Sequence, residues 1–225
     1  MNQVWTLLQQ GGLLMIPIVA ASLISFIIFF ERLWALRSDQ VIPKIWIQHV
    51  IKLIQDGQFK QALTLCNSHP STVAMILKGG LEASTHDRTQ MKEAFEEVGQ
   101  VEVNYLGRYI EILGTIATIA PLLGLLGTVV GMIDVFRTVV DEISIQGGGV
   151  NPASLASGIW VALITTAAGL TAAIPAFLGY KYLLAHIERL TIELEEISLL
   201  VLEIVYPKKS VQDRPISSEN SESSS

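Results

Sequence analysis

The chain has 225 residues, a single cysteine and a formal net charge of −6, and 50% of its residues are hydrophobic. That charge balance argues against a nucleic-acid binder, which would carry a basic face. One cysteine, Cys66, excludes an intrachain disulfide and a paired-thiol metal or redox site; in its apolar stretch it reads as a core filler.

Residues 1–10 are predicted to be an outward-facing N-terminus, followed by the first charge-free apolar run at 11–30. A cleaved signal peptide would carry positive charge before its apolar core. Here Arg32 and Arg37 come after it, so the run is read as a retained span. Two further charge-free runs, within 111–133 and 154–180, also reach the roughly 20 residues a helix needs to cross a bilayer. Pro17, Pro121 and Pro175 lie inside the runs, which membrane helices tolerate.

The basic residues set the orientation. Arg32, Arg37, Arg108, Lys181 and Arg189 flank one side, whereas 142–152 has no Lys or Arg. The N-terminus and the loop at 134–153 are therefore expected outside, and 31–110 and the C-terminus inside. Arg137 goes against the trend and is paired by spacing with Asp134.

The segment 31–110 reads as short helices. Ile47, Val50, Ile51 and Ile54 form one apolar face after Pro43, while Phe59, Ala62, Leu63, Leu65 and Cys66 form a second. Val73, Ile76 and Leu77 form a third. A longer helix with Asp87 or Thr89 as cap carries Met91, Phe95, Val98 and Val101, and is expected to run unbroken into the second span. After the third span, Ile187, Leu190, Leu194, Ile197, Val201 and Ile204 alternate spacings of three and four over 181–206. That pattern suits either a heptad seam or a helix packing on its own domain. The Ser-rich stretch 207–225 is expected to be disordered.

The candidate chemistry starts from an absence. No Asp, Glu, Lys, Arg or His lies within the apolar runs, so no intramembrane hydrolase or metal constellation is predicted. Gly147, Gly148 and Gly149 lack a following Lys-Ser/Thr, and read as a turn rather than a phosphate loop. What the bilayer would hold is hydroxyl and small residues. Gly124, Gly127 and Gly131 share one side of the second span, and Gly158 and Gly169 lie in the third. Such residues allow close backbone approach, and the threonines among them either serve function or bond their own helix.

The run from Ala120 and Pro121 through Gly124, Gly127, Thr128 and Gly131 resembles the second-helix signature of the MotA/TolQ/ExbB proton channel family. Thr165, Thr166, Gly169 and Leu170, with Ala173, Pro175 and Ala176, resemble its third-helix signature. The resemblance covers residues 1–206 and implies an all-α membrane protein. Its long helices would extend into a cytoplasmic helical domain, and it would form a homopentamer around a pore. It implies Thr128, Thr165 and Thr166 on the ion pathway and Gly124, Gly127, Gly131, Gly158, Gly169, Pro121 and Pro175 packing around the pore. It also implies an ExbD/TolR-like partner with one span and an essential Asp. Membrane lipid and a TonB-like protein would be further contacts; no cofactor, metal or catalytic residue is implied. The expected role is an inner-membrane motor subunit driving outer-membrane transport or envelope maintenance.

Residue chemistry meets this reading from another side. One charge crossing 100 mV releases about 2.3 kcal/mol. Coupling that to motion by protons requires a titrating group, and a threonine hydroxyl does not titrate near neutral pH. A second protein must then supply the acid, unless the chain is not a proton channel. Val161 stands where ExbB-type members often carry Glu, which leaves sodium open as the coupled ion. A MotA-like flagellar stator subunit and a non-conducting scaffold are the alternatives.

Overall fold

The computed structural model describes residues 12, 14–84, 87–146 and 151–207, and of 145 and 146 the backbone alone. The expected N-terminal segment 1–10, the triple-glycine turn and the Ser-rich tail beyond Pro207 lie outside the described residues. Among those described, all regular structure is helical: α1 Met15–Ala35, α2 Ser38–Val41, α3 Lys44–Gln55, α4 Phe59–Ser68, α5 Thr72–Ala83, α6 Arg88–Gly107, α7 Ile110–Gln146 and α8 Pro152–Val205. They divide into two compact units, Met1–Pro43 with Gln100–Glu193, and Lys44–Gly99 with Leu194–Ser225.

Three helices are long and apolar enough to cross a membrane, with mean hydropathies of 2.0, 2.1 and 1.9 for α1, α7 and α8. In the first unit, α1 packs on α7. Ile18, Ala120, Ala172 and Ala173 form a buried centre with Leu123 and Ala168 against it. The opposite faces stay apolar and uncovered: Ile16, Leu23, Phe26 and Ile27 on α1, Leu122, Leu125 and Phe136 on α7, Leu163, Ile174 and Leu178 on α8. Apolar surface on this scale suits a hydrocarbon solvent, and the chain is a multi-pass membrane protein.

The first span differs from the sequence expectation at its start. The helix begins at Met15, after a turn in which Met15 N–H donates to Gly12 O and Gly12 adopts φ 71°. Pro17 therefore falls in the first turn, where its missing N–H breaks no helical bond. At the other end the helix continues past Glu31-Arg32, and Arg32 is only 8% exposed. Its guanidinium carbon lies 4.4 Å from the centre of the Tyr109 ring, Nε donates to Glu31 at 3.0 Å, and Nη1 approaches Leu106 O at 3.5 Å. Arg32 thus ties α1 to the start of α7 as well as marking charge asymmetry.

The expected unbroken helix into the second span is corrected. α6 ends at Gly107, and Arg108 and Tyr109 form a turn before α7. Gly107 is a poor helix former, and Arg108 N–H bonds Tyr105 O at 3.4 Å, tightening the last turn. Tyr109, stacked under Arg32 and 5.4 Å from the Arg108 guanidinium, occupies the break. Asp87 does stand at the start of α6, its carboxylate accepting Arg88 N–H at 2.6 Å and its carbonyl accepting Met91 N–H. At the start of α8, Asn151 Oδ1 accepts Ala153 N–H with Pro152 at the first helical position. Glu142, near the end of α7, accepts from Asn151 N–H and Ser154 Oγ. Arg137 lies 3.9 Å from Asp134, both exposed.

The second unit is an ordinary helical core. Ile47, Val50, Ile54, Ala62, Cys66, Val73, Ile76, Leu77, Met91 and Phe95 are buried there with Leu194, Val201 and Leu202 of α8. Burial raises the Cys66 thiol pKa to about 11. Gly80 leaves room for the Phe95 ring and Gly79 for Val98. Tyr206 closes the unit by donating to Ser84 O at 2.7 Å. Two expected core residues, Phe59 and Val101, are instead exposed, at 40% and 63%. Within each unit the face bearing Ile187 and Leu190, or Leu194 and Val201, is buried on this same chain. Of the two readings of that seam, packing on its own chain holds.

Candidate functional site

The seam between α7 and α8 is built from the small residues singled out in sequence. A Cβ on Gly169 would lie 2.7 Å from Ala120 O and 3.0 Å from Gly124 Cα. One on Gly124 would lie 3.1 Å from Thr166 Cα. Gly127 abuts the Thr165 side chain, Gly131 meets Ala162, Gly158 meets Val135, and Gly114 meets the Tyr180 ring. The pairs run in antiparallel order from Gly114/Tyr180 to Val135/Gly158. At 1.5 Å per residue that is about 30 Å of continuous contact, a hydrocarbon core's thickness. Six glycines line this one seam: Gly124 and Gly169 bring backbone against backbone, and the other four make room for side chains of the facing helix.

The threonines have distinct environments. Thr165 is 2% exposed, buried against Gly127, and donates to Val161 O at 3.0 Å. Thr128 is half-buried and donates to Leu125 O at 2.7 Å in its own helix. Thr166 crosses the seam, donating to Gly124 O at 2.8 Å. Local back-bonding thus accounts for Thr165 and Thr128, not for Thr166. In Thr128 and Thr166 the hydroxyl proton is directed at a carbonyl, so the remaining capacity of the oxygen is as acceptor. Such an oxygen can receive a proton-bearing donor or coordinate a cation; it cannot carry the proton.

Pro121 is half-buried in α7 and Pro175 exposed in α8. Each removes one N–H from the helical ladder, freeing the carbonyl of Ala117 and of Thr171 respectively. Among the described residues no group of three or more metal-ligating side chains occurs.

Sequence reasoning missed a cluster at the start of α7. Glu111, Gly114, Thr115, Thr118 and Ile119, with Phe177 and Tyr180 of α8, line an open cavity of about 460 Å³. The signal was present: Glu111, Thr115 and Thr118 recur at i, i+4 and i+7, the only polar stripe entering the second apolar run.

A family model described as the MotA/TolQ/ExbB proton channel family matches residues 68–196, which include the whole seam and its threonines. The chain belongs to this family. Its members are transport and channel-type proteins. An ExbB homolog of Methanothermobacter thermautotrophicus, named as a biopolymer transport protein, is 32% identical over 194 residues, covering 85% of this chain and 66% of that protein. The biopolymer transport protein exbB1 of Vibrio cholerae is 30% identical over 87% of this chain and 85% of its own length. A biopolymer transport protein ExbB-like 1 of Synechocystis is 29% identical over 78% of this chain and 68% of its own length. This chain thus spans about two-thirds of the archaeal and cyanobacterial relatives. The family's name and these relatives support a role in biopolymer transport.

Proposed function

We propose that the chain is the channel-forming subunit of an ion-driven motor in the bacterial inner membrane, with the N-terminus outside and the C-terminus in the cytoplasm. It assembles as a homopentamer through the uncovered apolar faces of α1, α7 and α8, with the α7–α8 hairpins around the pore. An ExbD/TolR-like partner inserts one helix whose Asp carries the proton, and the work is passed outward, to a TonB-like protein or an equivalent envelope system. Thr128 and Thr166 offer oxygen acceptors to that Asp as it loads and unloads, and Thr165 holds the seam behind them.

The observation that carries this reading is the pairing of a family-matched, threonine-bearing hairpin with apolar runs that contain no acid. A protonated carboxyl leaving water for such a site needs an acceptor for its one donor. Threonine oxygens fill that need without adding charge. With Val161 in the third span no second acid competes, so the coupled ion is the one the partner's Asp selects.

The test is Thr128→Val together with Thr166→Val in the complex with its single-span partner. Motor output and ion flux are expected to be lost while the complex still copurifies at wild-type yield. Flux retained at wild-type level in that variant would remove the threonines from the pathway.

A further inference from the structure

We propose that the cavity at the start of α7 is a cation-collecting vestibule, with Glu111 as its charge and Thr115, Thr118 and Tyr180 as its polar wall. This rests on the channel reading above and adds a site to it: the cytoplasmic mouth through which a hydrated monovalent cation, hydronium or sodium, enters or leaves the threonine region.

Three observations carry it. The cavity is large enough, at about 460 Å³, for several waters, and it is lined by a carboxylate and two hydroxyls rather than by apolar side chains alone. Glu111 is exposed and lines it at the foot of a charge-free run. The two threonine hydroxyls donate to Glu111 O and Gly114 O, both at 2.9 Å, which leaves their oxygens as acceptors for water or a cation. Above Thr118 the same face of α7 turns apolar at Leu122 and Leu125, and Thr128 lies ten residues on, about 15 Å along the axis. The polar wall therefore stops well short of the threonine seam, and the cavity is a mouth rather than the path itself.

Cations stand at this end of the hairpin too, Arg108 three positions before Glu111 and Lys181 on α8. Lys181 lies 5.9 Å from the Phe177 ring centre and 5.8 Å from that of Tyr180, and neither it nor Arg108 is among the lining residues. Glu111 is the charged side chain among the lining residues, so its field acts on the cavity most directly. Removing the Glu111 charge leaves only these cations nearby and should bring the preference to one or below.

The test needs neither partner nor flux. In full-length protein in inside-out membrane vesicles, in a Cys66→Ser background, Thr118→Cys reports on the cavity. Its modification rates by cationic trimethylammonium-ethyl and anionic sulfonatoethyl methanethiosulfonate are compared, each normalised to a free thiol. A unit charge a few ångström away in a water-like dielectric shifts the two rates oppositely, together by about tenfold. The expected result is a cation preference of that order, kept in Glu111→Asp and falling to one or below in Glu111→Gln. Thr115→Cys is a second reporter should Thr118→Cys disturb the fold. A preference unchanged by Glu111→Gln overturns the proposal, and so does a reporter that neither reagent reaches, as would occur if a lipid chain filled the cavity. Charge selection that persists in a complex without ion flux would sink the motor reading and leave the vestibule standing.

Discussion

Gly169→Ala adds one methyl group at the tightest point of the α7–α8 seam. Its carbon would sit 2.7 Å from Ala120 O, 3.0 Å from Gly124 Cα and 3.2 Å from Gly124 N. All three are backbone atoms, so no rotamer change relieves the contact. A relaxed C···O contact is about 3.3 Å or more, so the helices must separate locally by roughly 0.6 Å. A gap of that size forfeits a quarter to a half of the dispersion well at each facing pair. It also stretches the 2.8 Å bond from Thr166 to Gly124 O, one turn away, a bond of a kind that contributes about 0.6–1.7 kcal/mol in membrane helices. Together these predict about 2 kcal/mol of destabilisation, against a helix-propensity gain of about 1 kcal/mol that Ala would otherwise bring. Gly99→Ala is the internal control, because nothing lies within 4 Å of its Cβ position and it should gain that propensity term. The assay is denaturant unfolding in detergent micelles followed by circular dichroism. Gly169→Ala as stable as wild type, or more so, would refute the backbone-contact account of the seam.

Further expectations concern other parts of the chain. Arg32→Ala removes a buried cation over Tyr109 and should cost about 2 kcal/mol, read by the same unfolding assay; Arg32→Lys should recover only part of it, since an ammonium lacks the planar face. The Cys66 thiol, with its pKa raised by burial from 9.0 to about 11, should resist alkylation in the folded protein at pH 8 and react once unfolded. The unfolded chain loses this proton first, so the Cys66 contribution to stability is complete below pH 9 and lost as pH rises towards 11. Replacing Cys66 by Ala should abolish that segment of the pH–stability curve. Tyr206→Phe should cost about 1 kcal/mol through its lost bond to Ser84 O, measured as a shift in the unfolding midpoint.

Much of the architecture was legible because a bilayer imposes strong rules on sequence. Three charge-free runs of spanning length gave α1, α7 and α8, and the glycine spacing identified the faces that meet at the seam. Short-range periodicity was equally informative where a helix has one buried face, as for Val50 in α3 and Leu77 in α5. It failed where partner geometry decides. Phe59 and Val101 fit their helical patterns, yet both remain exposed in the folded chain. The break at Arg108–Tyr109 carries no proline, and depends on the Tyr109 ring meeting an arginine 77 positions earlier in the chain. The same holds at the site: Thr165 and Thr166 are adjacent in sequence, but one lies buried against Gly127 and the other bonds across to Gly124. Only the registry of two helices separates them. The Glu111 stripe was readable in principle, and was obscured because an acid at a span's edge has the pattern of any membrane boundary.

The central claim is that the chain supplies oxygens and shape while another polypeptide supplies the acid. Proton uptake into potassium-loaded vesicles under a valinomycin-set potential tests it directly. The chain purified alone should show no threonine-dependent flux, and flux should appear with the copurifying single-span protein and vanish when that protein's membrane Asp is changed to Asn. Flux through the solitary chain that Thr128→Val abolishes would contradict the account.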